Sequence, residues 1–204
     1  MKFEFIAGSV ALDFVATVAE RTTTHEERLR TPADLAEWLA DAGVLDSPPP
    51  VTDADLQAAR ELREAMYAYV VHLTGGPAPA AEVRRILNAR AKAGQVALRL
   101  DRHWQLARTG DVRSALGAIT REAFLLSQDD RREAIRWCAG AACTRPFLDR
   151  SHGRRRRWCG MSGCGDKAKA AAYRARRADA GTPGQSADLL AEFPHLGLPN
   201  VYPA

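Results

Sequence analysis

The four cysteines of this chain are the residues whose type and spacing could do chemistry. They are Cys138, Cys143, Cys159 and Cys164, in the pattern C-x4-C-x15-C-x4-C. Two closely spaced pairs separated by a connector of this length are typical of a tetrahedral zinc site with four thiolate ligands. Each pair curls around one side of the ion, and glycines such as Gly140 allow the tight turns. The pattern predicts one structural Zn²⁺ held by all four cysteines.

Two alternatives to zinc are a pair of disulfides and four unrelated thiols. The N-terminus, MKFEFIAGSVALDF, lacks the layout of a signal peptide. No run approaches the ~20 apolar residues that a membrane span needs. We therefore expect a cytoplasmic protein without a membrane segment, in which thiols stay reduced and free to bind metal. Oxidation of the thiolates with release of zinc is a further alternative, as a redox switch.

The formal net charge of +4 hides an uneven distribution along the chain. Residues 1–130 hold 15 Lys and Arg against 19 Asp and Glu, whereas residues 131–180 hold 14 against 4. The tail, residues 181–204, holds two acidic residues and no Lys or Arg. A basic segment joined to an acidic body indicates a polyanionic partner for that segment, and nucleic acid is the obvious candidate.

The cysteine segment resembles a known family. The run Cys138…Cys143…Phe147-x-Asp149-x-Ser151…Arg156-Arg157-Trp158-Cys159-x-Met161…Cys164-Gly165 is similar to the CGNR zinc finger, found at the C-terminus of bacterial proteins classed as transcription regulators. Asp166-Lys167 stands where that family has Asn-Arg. The resemblance implies a zinc-dependent DNA-binding module.

The N-terminal part has the pattern of a mainly α (α+β) domain, spanning residues 1–130. Phe3–Gly8 alternates like a short strand, and apolar spacing predicts helices from Val10, over 32–42, from Thr52 through Leu73, over 80–93 and over 112–127. Two alternating runs after Gly94 predict a β-hairpin with Val96, Leu98 and Leu100 on one face. Residues 127–130 are the expected linker to the zinc module.

The stretch Leu12-Asp13-Phe14-Val15-Ala16-Thr17 resembles the LDFVNT motif that opens ABATE domains, with Ala16 in place of the Asn. Such domains precede CGNR fingers, and the resemblance implies a domain that senses or binds something. Asp13 and Thr17 lie one helical turn apart, on one face. They either line a pocket for a small effector molecule, or Asp13 bridges within the fold, for example to Arg21 or Arg28.

The zinc module, residues 131–180, is predicted as a zinc ribbon followed by a basic helix. Ile135–Trp137 and Arg155–Trp158 are the expected strands, each running into a cysteine pair, and Trp137 and Trp158 are expected to cover the metal site. We expect this module to unfold without zinc, and the helical body, residues 1–130, to remain folded. In the helix after Cys164, alanines at 168, 171, 172, 175 and 178 form one stripe, expected to pack on the ribbon.

Cations lie on the opposite side of that helix and in the ribbon. The predicted DNA-binding residues are Arg154, Arg155, Arg156, Arg157, Lys167, Lys169, Arg174, Arg176 and Arg177. Two of these charges would suffice to neutralise a four-thiolate zinc centre, which carries a formal charge of about −2. The excess favours a nucleic-acid partner, and the lack of aromatic-rich strands for base stacking favours double-stranded DNA over RNA.

The sequence therefore predicts a zinc-dependent DNA-binding transcription regulator, whose apolar tail, residues 181–204, either packs back on the body or mediates a homodimer. The alternative is a zinc ribbon that binds RNA or protein as a scaffold. An enzyme is not predicted, because no nucleophile–base pair or phosphate-cradling loop is found. His25, His72 and His103 occur singly, without companion acids at ligand spacing.

Overall fold

The computed structural model describes the backbone of residues 3–180 and the side chains up to Arg177. Within that range the chain forms seven α-helices and three two-stranded antiparallel sheets. The helices are α1 (Val10–Val15), α2 (Pro32–Asp41), α3 (Asp53–Leu73), α4 (Ala81–Ala91), α5 (Val112–Leu125), α6 (Asp129–Ala134) and α7 (Asp166–Ala180). The strand pairs are β1 (Val18–Ala19) with β2 (Glu26–Glu27), β3 (Ala97–Leu100) with β4 (Leu106–Thr109), and β5 (Ile135–Trp137) with β6 (Pro146–Leu148). The predicted mainly α class is confirmed.

Three helices begin at a capping box, in which two residues three positions apart each bind the backbone of the other; the residue types can be recognised in the sequence. Thr52 accepts a hydrogen bond from the backbone of Asp55, whose carboxylate accepts one from the backbone of Thr52. The same capping box opens α2 at Thr31 and α5 at Asp111. These caps satisfy backbone N–H groups that the first helical turn leaves unpaired, and they fix where each helix starts.

The core of the helical body lies around the short helix α1. Leu12, Phe14 and Val15 are fully buried there, and α1 packs against both α3 and α5. Trp38 of α2 covers this cluster, with its ring 5.2 Å from that of Phe14. Burying large apolar side chains in this way is the main favourable contribution to folding. The helix that carries Asp13 is thus the centre of the domain.

Two expected strands are absent from the described residues. Residues 3–8 are irregular, because the carboxylate of Asp13 binds the backbone N–H groups of Ile6 and Ala7. Residues 155–158 are also irregular, and β6 pairs with β5 instead, with Ile135 opposite Leu148. The segment expected as a linker, residues 127–130, includes the start of α6 at Asp129.

The predicted β-hairpin is confirmed, with Leu100 opposite Leu106. Its apolar face is nevertheless exposed to solvent: Leu98 is 65% exposed and Leu100 56%. Trp104, in the connecting loop, is 83% exposed. None of the described helices is long and apolar enough to cross a membrane.

The zinc ribbon, residues 135–165, belongs to the same compact unit as the helical body. This unit extends to Asp166, and the rest of the chain from Lys167 forms a second unit, of which the structure describes α7. Phe147 and Leu148 of β6 are buried in the common core, and the backbone N–H of Leu148 donates to the carbonyl of Ala7 at 2.8 Å. The ribbon is therefore packed into the body, rather than tethered to it by a linker.

Candidate metal centre and basic surface

The four predicted cysteines converge on one point. Their sulfur atoms all lie within 4.8 Å of one another, and the Sγ atoms of Cys143 and Cys159, and of Cys159 and Cys164, are 3.8 Å apart. A tetrahedron with Zn–S bonds of about 2.3 Å has edges of about 3.8 Å. The spacing of the sulfurs thus matches what a zinc ion requires.

Three segments of the ribbon deliver these sulfurs. Cys138 follows β5 directly, and Cys143 lies in the turn before β6. Cys159 ends the irregular segment after β6, and Cys164 lies in a wide helical turn, Met161–Gly165, that leads into α7. A side chain at Gly140 would place its Cβ 3.1 Å from the sulfur of Cys164, so a larger residue there would crowd the zinc ligands.

The thiols cannot all ionise without a cation. The hydrogen bond that Cys159 donates to Cys143 lowers the pKa of Cys143 to about 5 and raises the pKa of Cys159. Burial raises the pKa of Cys164 to about 11. Several thiolates within 4.8 Å repel one another, and a bound divalent ion removes that penalty. Four sulfur donors leave no open coordination position, as in structural rather than catalytic zinc sites.

Comparison with protein families agrees with this geometry. Residues 8–130 match the family model described as "ABATE: Putative stress-induced transcription regulator". The chain belongs to the ABATE family. Residues 134–177 match the CGNR zinc finger. A search of curated proteins found no match. The cofactor of this ABATE protein is one structural Zn²⁺, held by Cys138, Cys143, Cys159 and Cys164.

The ABATE motif residue Asp13 is bound to backbone, and neither Arg21 nor Arg28 is its partner in the described contacts. Its carboxylate accepts hydrogen bonds from Ile6 and Ala7, at 3.1 and 3.0 Å. Burial raises the pKa of Asp13 to about 6, although these hydrogen bonds and the charge of Arg145 oppose that rise. Asp13 thus holds the N-terminal segment against α1.

Thr17, the second predicted pocket residue, belongs to a buried ionic network. Its hydroxyl donates to the carbonyl of Phe14 at 2.8 Å and accepts from the guanidinium of Arg63 at 3.3 Å. Arg63 also binds both carboxylate oxygens of Glu27 at 2.7 Å, which ties β2 to α3. Burial would raise the pKa of Glu27, but the hydrogen bonds and charge of Arg63 lower it. Both predicted pocket residues have their polar groups engaged inside the fold.

Arg156 differs from its neighbours in the arginine run. Its guanidinium donates to the carbonyls of Trp158 and Cys159 and lies over the ring of Phe147, 4.5 Å from its centre. Its backbone N–H donates to Asp149, which is fully buried. Burial would raise the pKa of Asp149, but hydrogen bonds from Ser151 and Arg156 lower it. Arg156 thus braces the loop that carries Cys159.

The other ribbon arginines face solvent. Arg154, Arg155 and Arg157 are exposed. Arg154 pairs with Glu133 at 3.1 Å on the surface, and Arg157 lies over the ring of Trp158, 5.1 Å from its centre. Surface pairs of this kind contribute little and exchange readily for other partners. These three side chains remain accessible to an anion.

The basic helix α7 forms as predicted. Its cations, Lys167, Lys169, Arg174, Arg176 and Arg177, are exposed. The expected burial of the alanine stripe is wrong for its described members, because Ala171, Ala172 and Ala175 are exposed and Ala168 is half-buried. A single methyl group carries little apolar area, so an exposed alanine costs little stability.

Sequence reasoning missed the contacts that join the ribbon to the body. Arg145 is 7% exposed, and its guanidinium donates to the carboxylate of Glu4 at 2.7 Å. The backbone N–H of Arg21 donates to Thr144, beside Cys143, at 3.1 Å. The residues of these two pairs lie 141 and 123 positions apart in the sequence, so no local sequence pattern predicts the contacts.

Proposed function

We propose that this ABATE protein is a zinc-dependent DNA-binding regulator of transcription. The observation that carries the proposal is a set of exposed cations. They lie in the ribbon segment that precedes Cys159 and in α7, which directly follows Cys164. The proposed DNA-binding residues are Arg154, Arg155, Arg157, Lys167, Lys169, Arg174, Arg176 and Arg177. We leave Arg156 out, because its guanidinium is bound to carbonyls inside the protein. Exposed cations of this density fit a phosphate backbone.

Zinc has a positioning role in this proposal. Arg154, Arg155 and Arg157 lie in the connector between Cys143 and Cys159, whose two ends the ion fixes. After β6 the connector is irregular, and the buried Asp149 supports this part through Ser151 and Arg156. With zinc bound, the arginines are held in one arrangement, so binding a phosphate backbone costs less conformational entropy. Loss of zinc should therefore weaken DNA binding without a change in charge on these side chains.

The alternative is a scaffold whose zinc ribbon binds RNA or protein. Fluorescence anisotropy of the zinc-loaded full chain, with duplex DNA and with RNA of equal length, separates the two. If the protein binds DNA as proposed, it should bind the duplex more tightly than the RNA. Binding to the duplex should be lost when zinc is chelated and the excess chelator removed. Equal or tighter binding to RNA would favour the alternative.

A sensing role for the helical body and a homodimer complete the proposal. The solvent-exposed apolar face of the β3–β4 hairpin supports self-association, because exposed patches of this kind commonly mark interaction sites. Light scattering on the purified protein measures the mass directly.

The prediction that this protein is not an enzyme agrees with both matched families, which are regulator and zinc-finger families.

A further inference from the structure

A cavity of about 720 Å³ opens between α3, α4 and α5, away from Asp13 and Thr17. Its apolar wall consists of Tyr69, Val83, Leu87 and Phe124. Leu87 is 3% exposed, so the cavity reaches the core of the helical body. Pockets that bind small organic molecules have volumes of about 300–1,000 Å³ and are mainly apolar with a few polar groups. By size and lining, this cavity belongs to that class.

The shape of the wall favours a flat ligand. The rings of Tyr69 and Phe124 meet edge to face, 6.2 Å apart and at 79°. Both rings line the cavity. A planar ring system can pack against aromatic side chains by stacking or edge to face.

Charge at the mouth of the cavity favours an acid. Arg84 and His72 both line it. In the part of the chain that the structure describes, the guanidinium of Arg84 has no hydrogen bond or ion pair, whereas the adjacent Arg85 pairs with Glu82. An arginine beside an apolar cavity binds a carboxylate well, because its planar fork matches the two oxygens.

We propose that this cavity binds a small organic acid with a flat, apolar ring system, its anionic group against Arg84. The proposal rests on the sensing role given to the helical body above. Tyr69 and His72 lie in the last turns of α3, and Thr74, the cap of that helix, bonds Trp137 of the zinc ribbon. A ligand in the cavity therefore contacts the end of the helix that holds the ribbon.

Two fluorescent probes test the site in the zinc-loaded full chain. 8-Anilinonaphthalene-1-sulfonate has a flat, apolar naphthalene ring system and an anionic sulfonate, and N-phenyl-1-naphthylamine has the same rings without the sulfonate. We expect both to bind saturably with one site per chain. Arg84→Ala should lower the affinity for the sulfonate about tenfold, the effect of losing one hydrogen-bonded charge, and leave the neutral probe unchanged. Arg85→Ala is the matched control and should change neither.

Val83→Trp should fill the cavity and abolish binding of both probes. Its zinc content and thermal melt must match those of the wild-type protein; if they do not, the Arg84→Ala comparison decides alone. Unsaturable binding, or equal losses in Arg84→Ala and Arg85→Ala, would overturn the site. Because probe binding is measured without DNA, failure of the DNA proposal leaves this result intact. An unchanged DNA affinity at saturating probe would overturn the regulatory role of the cavity.

Discussion

The indole Nε1 of Trp137 donates a hydrogen bond to the hydroxyl of Thr74 at 3.0 Å. Thr74 is the C-cap of α3, the longest helix described, and Trp137 directly precedes the zinc ligand Cys138. The Trp137 ring also meets that of Tyr67 edge to face at 5.8 Å. This aromatic side chain, expected to cover the metal, instead joins the metal-binding segment to the helical body.

A double-mutant cycle measures that link. Trp137→Phe removes the indole N–H and Thr74→Val removes the hydroxyl, so each breaks the same hydrogen bond. We expect the free energies of unfolding to be non-additive by about 0.5–1.5 kcal/mol. Urea denaturation of the four proteins gives the coupling, and additive losses would show that the contact does not stabilise the fold.

Removal of zinc should loosen α1 as well as the ribbon. Phe147 and Leu148 leave the common core if β6 unfolds, and α1 packs directly against β6. This differs from the expectation, drawn from sequence, of a body that is unaffected. Hydrogen exchange with and without chelator should show faster exchange in residues 10–15, with α4 as the internal reference. Protection of α1 that does not change on chelation would contradict the shared core.

The sequence predicted those features that depend on nearby residues. Thr52 and Asp55 are three residues apart and predict the start of α3, and the spacing of the cysteines predicts the zinc site. The missed features depend on distant partners. Residues 3–8 alternate like a strand, but an alternating pattern does not reveal which groups the backbone will bind, and Asp13 binds it here.

Arg156 shows the same limit within the candidate site. In sequence it is one of four consecutive arginines, and nothing distinguishes it from Arg155. Its different role arises from the buried ring of Phe147 and from the carbonyls around Cys159, which only the fold brings together. Charge runs therefore predict a basic surface, but not which of the cations belong to it.

Neighbouring arginines should give opposite phenotypes. Arg155→Ala removes an exposed cation, so it should weaken DNA binding and leave stability unchanged. Arg156→Ala removes hydrogen bonds from a charged group, and we expect it to lower the free energy of unfolding by about 1.5–3 kcal/mol. Urea denaturation and anisotropy on both variants check this. The assignment is wrong if Arg155→Ala is the destabilised variant.

Asp13 should make stability depend on pH. Its pKa rises from 3.8 to about 6 on folding, so the native state holds a proton that the unfolded state has lost. Its contribution to stability is therefore greatest below about pH 4 and falls by up to about 3 kcal/mol as pH rises through 6. Asp13→Asn keeps an acceptor for Ile6 and Ala7 but cannot ionise. Its stability relative to wild type should rise over that range.

Glu27→Gln is the control for this titration. Folding lowers the pKa of Glu27, so its contribution is present above its unfolded pKa and is lost as pH falls through the folded one. In urea denaturation above about pH 5, the stability difference between Glu27→Gln and wild type should therefore stay constant, whereas that between Asp13→Asn and wild type should change as pH rises through 6. A constant difference for Asp13→Asn as well would mean that Asp13 does not titrate as its burial implies.

The salt dependence of duplex-DNA affinity tests the central claim most directly. About four to six phosphate contacts predict a log–log slope near −4 to −5 for the zinc-loaded protein. Arg174→Ala with Arg177→Ala should flatten that slope by up to about two units. The same charge change on the body, Arg85→Ala with Arg113→Ala, should leave it unchanged. Equal slopes for all three proteins would contradict DNA binding by the basic helix.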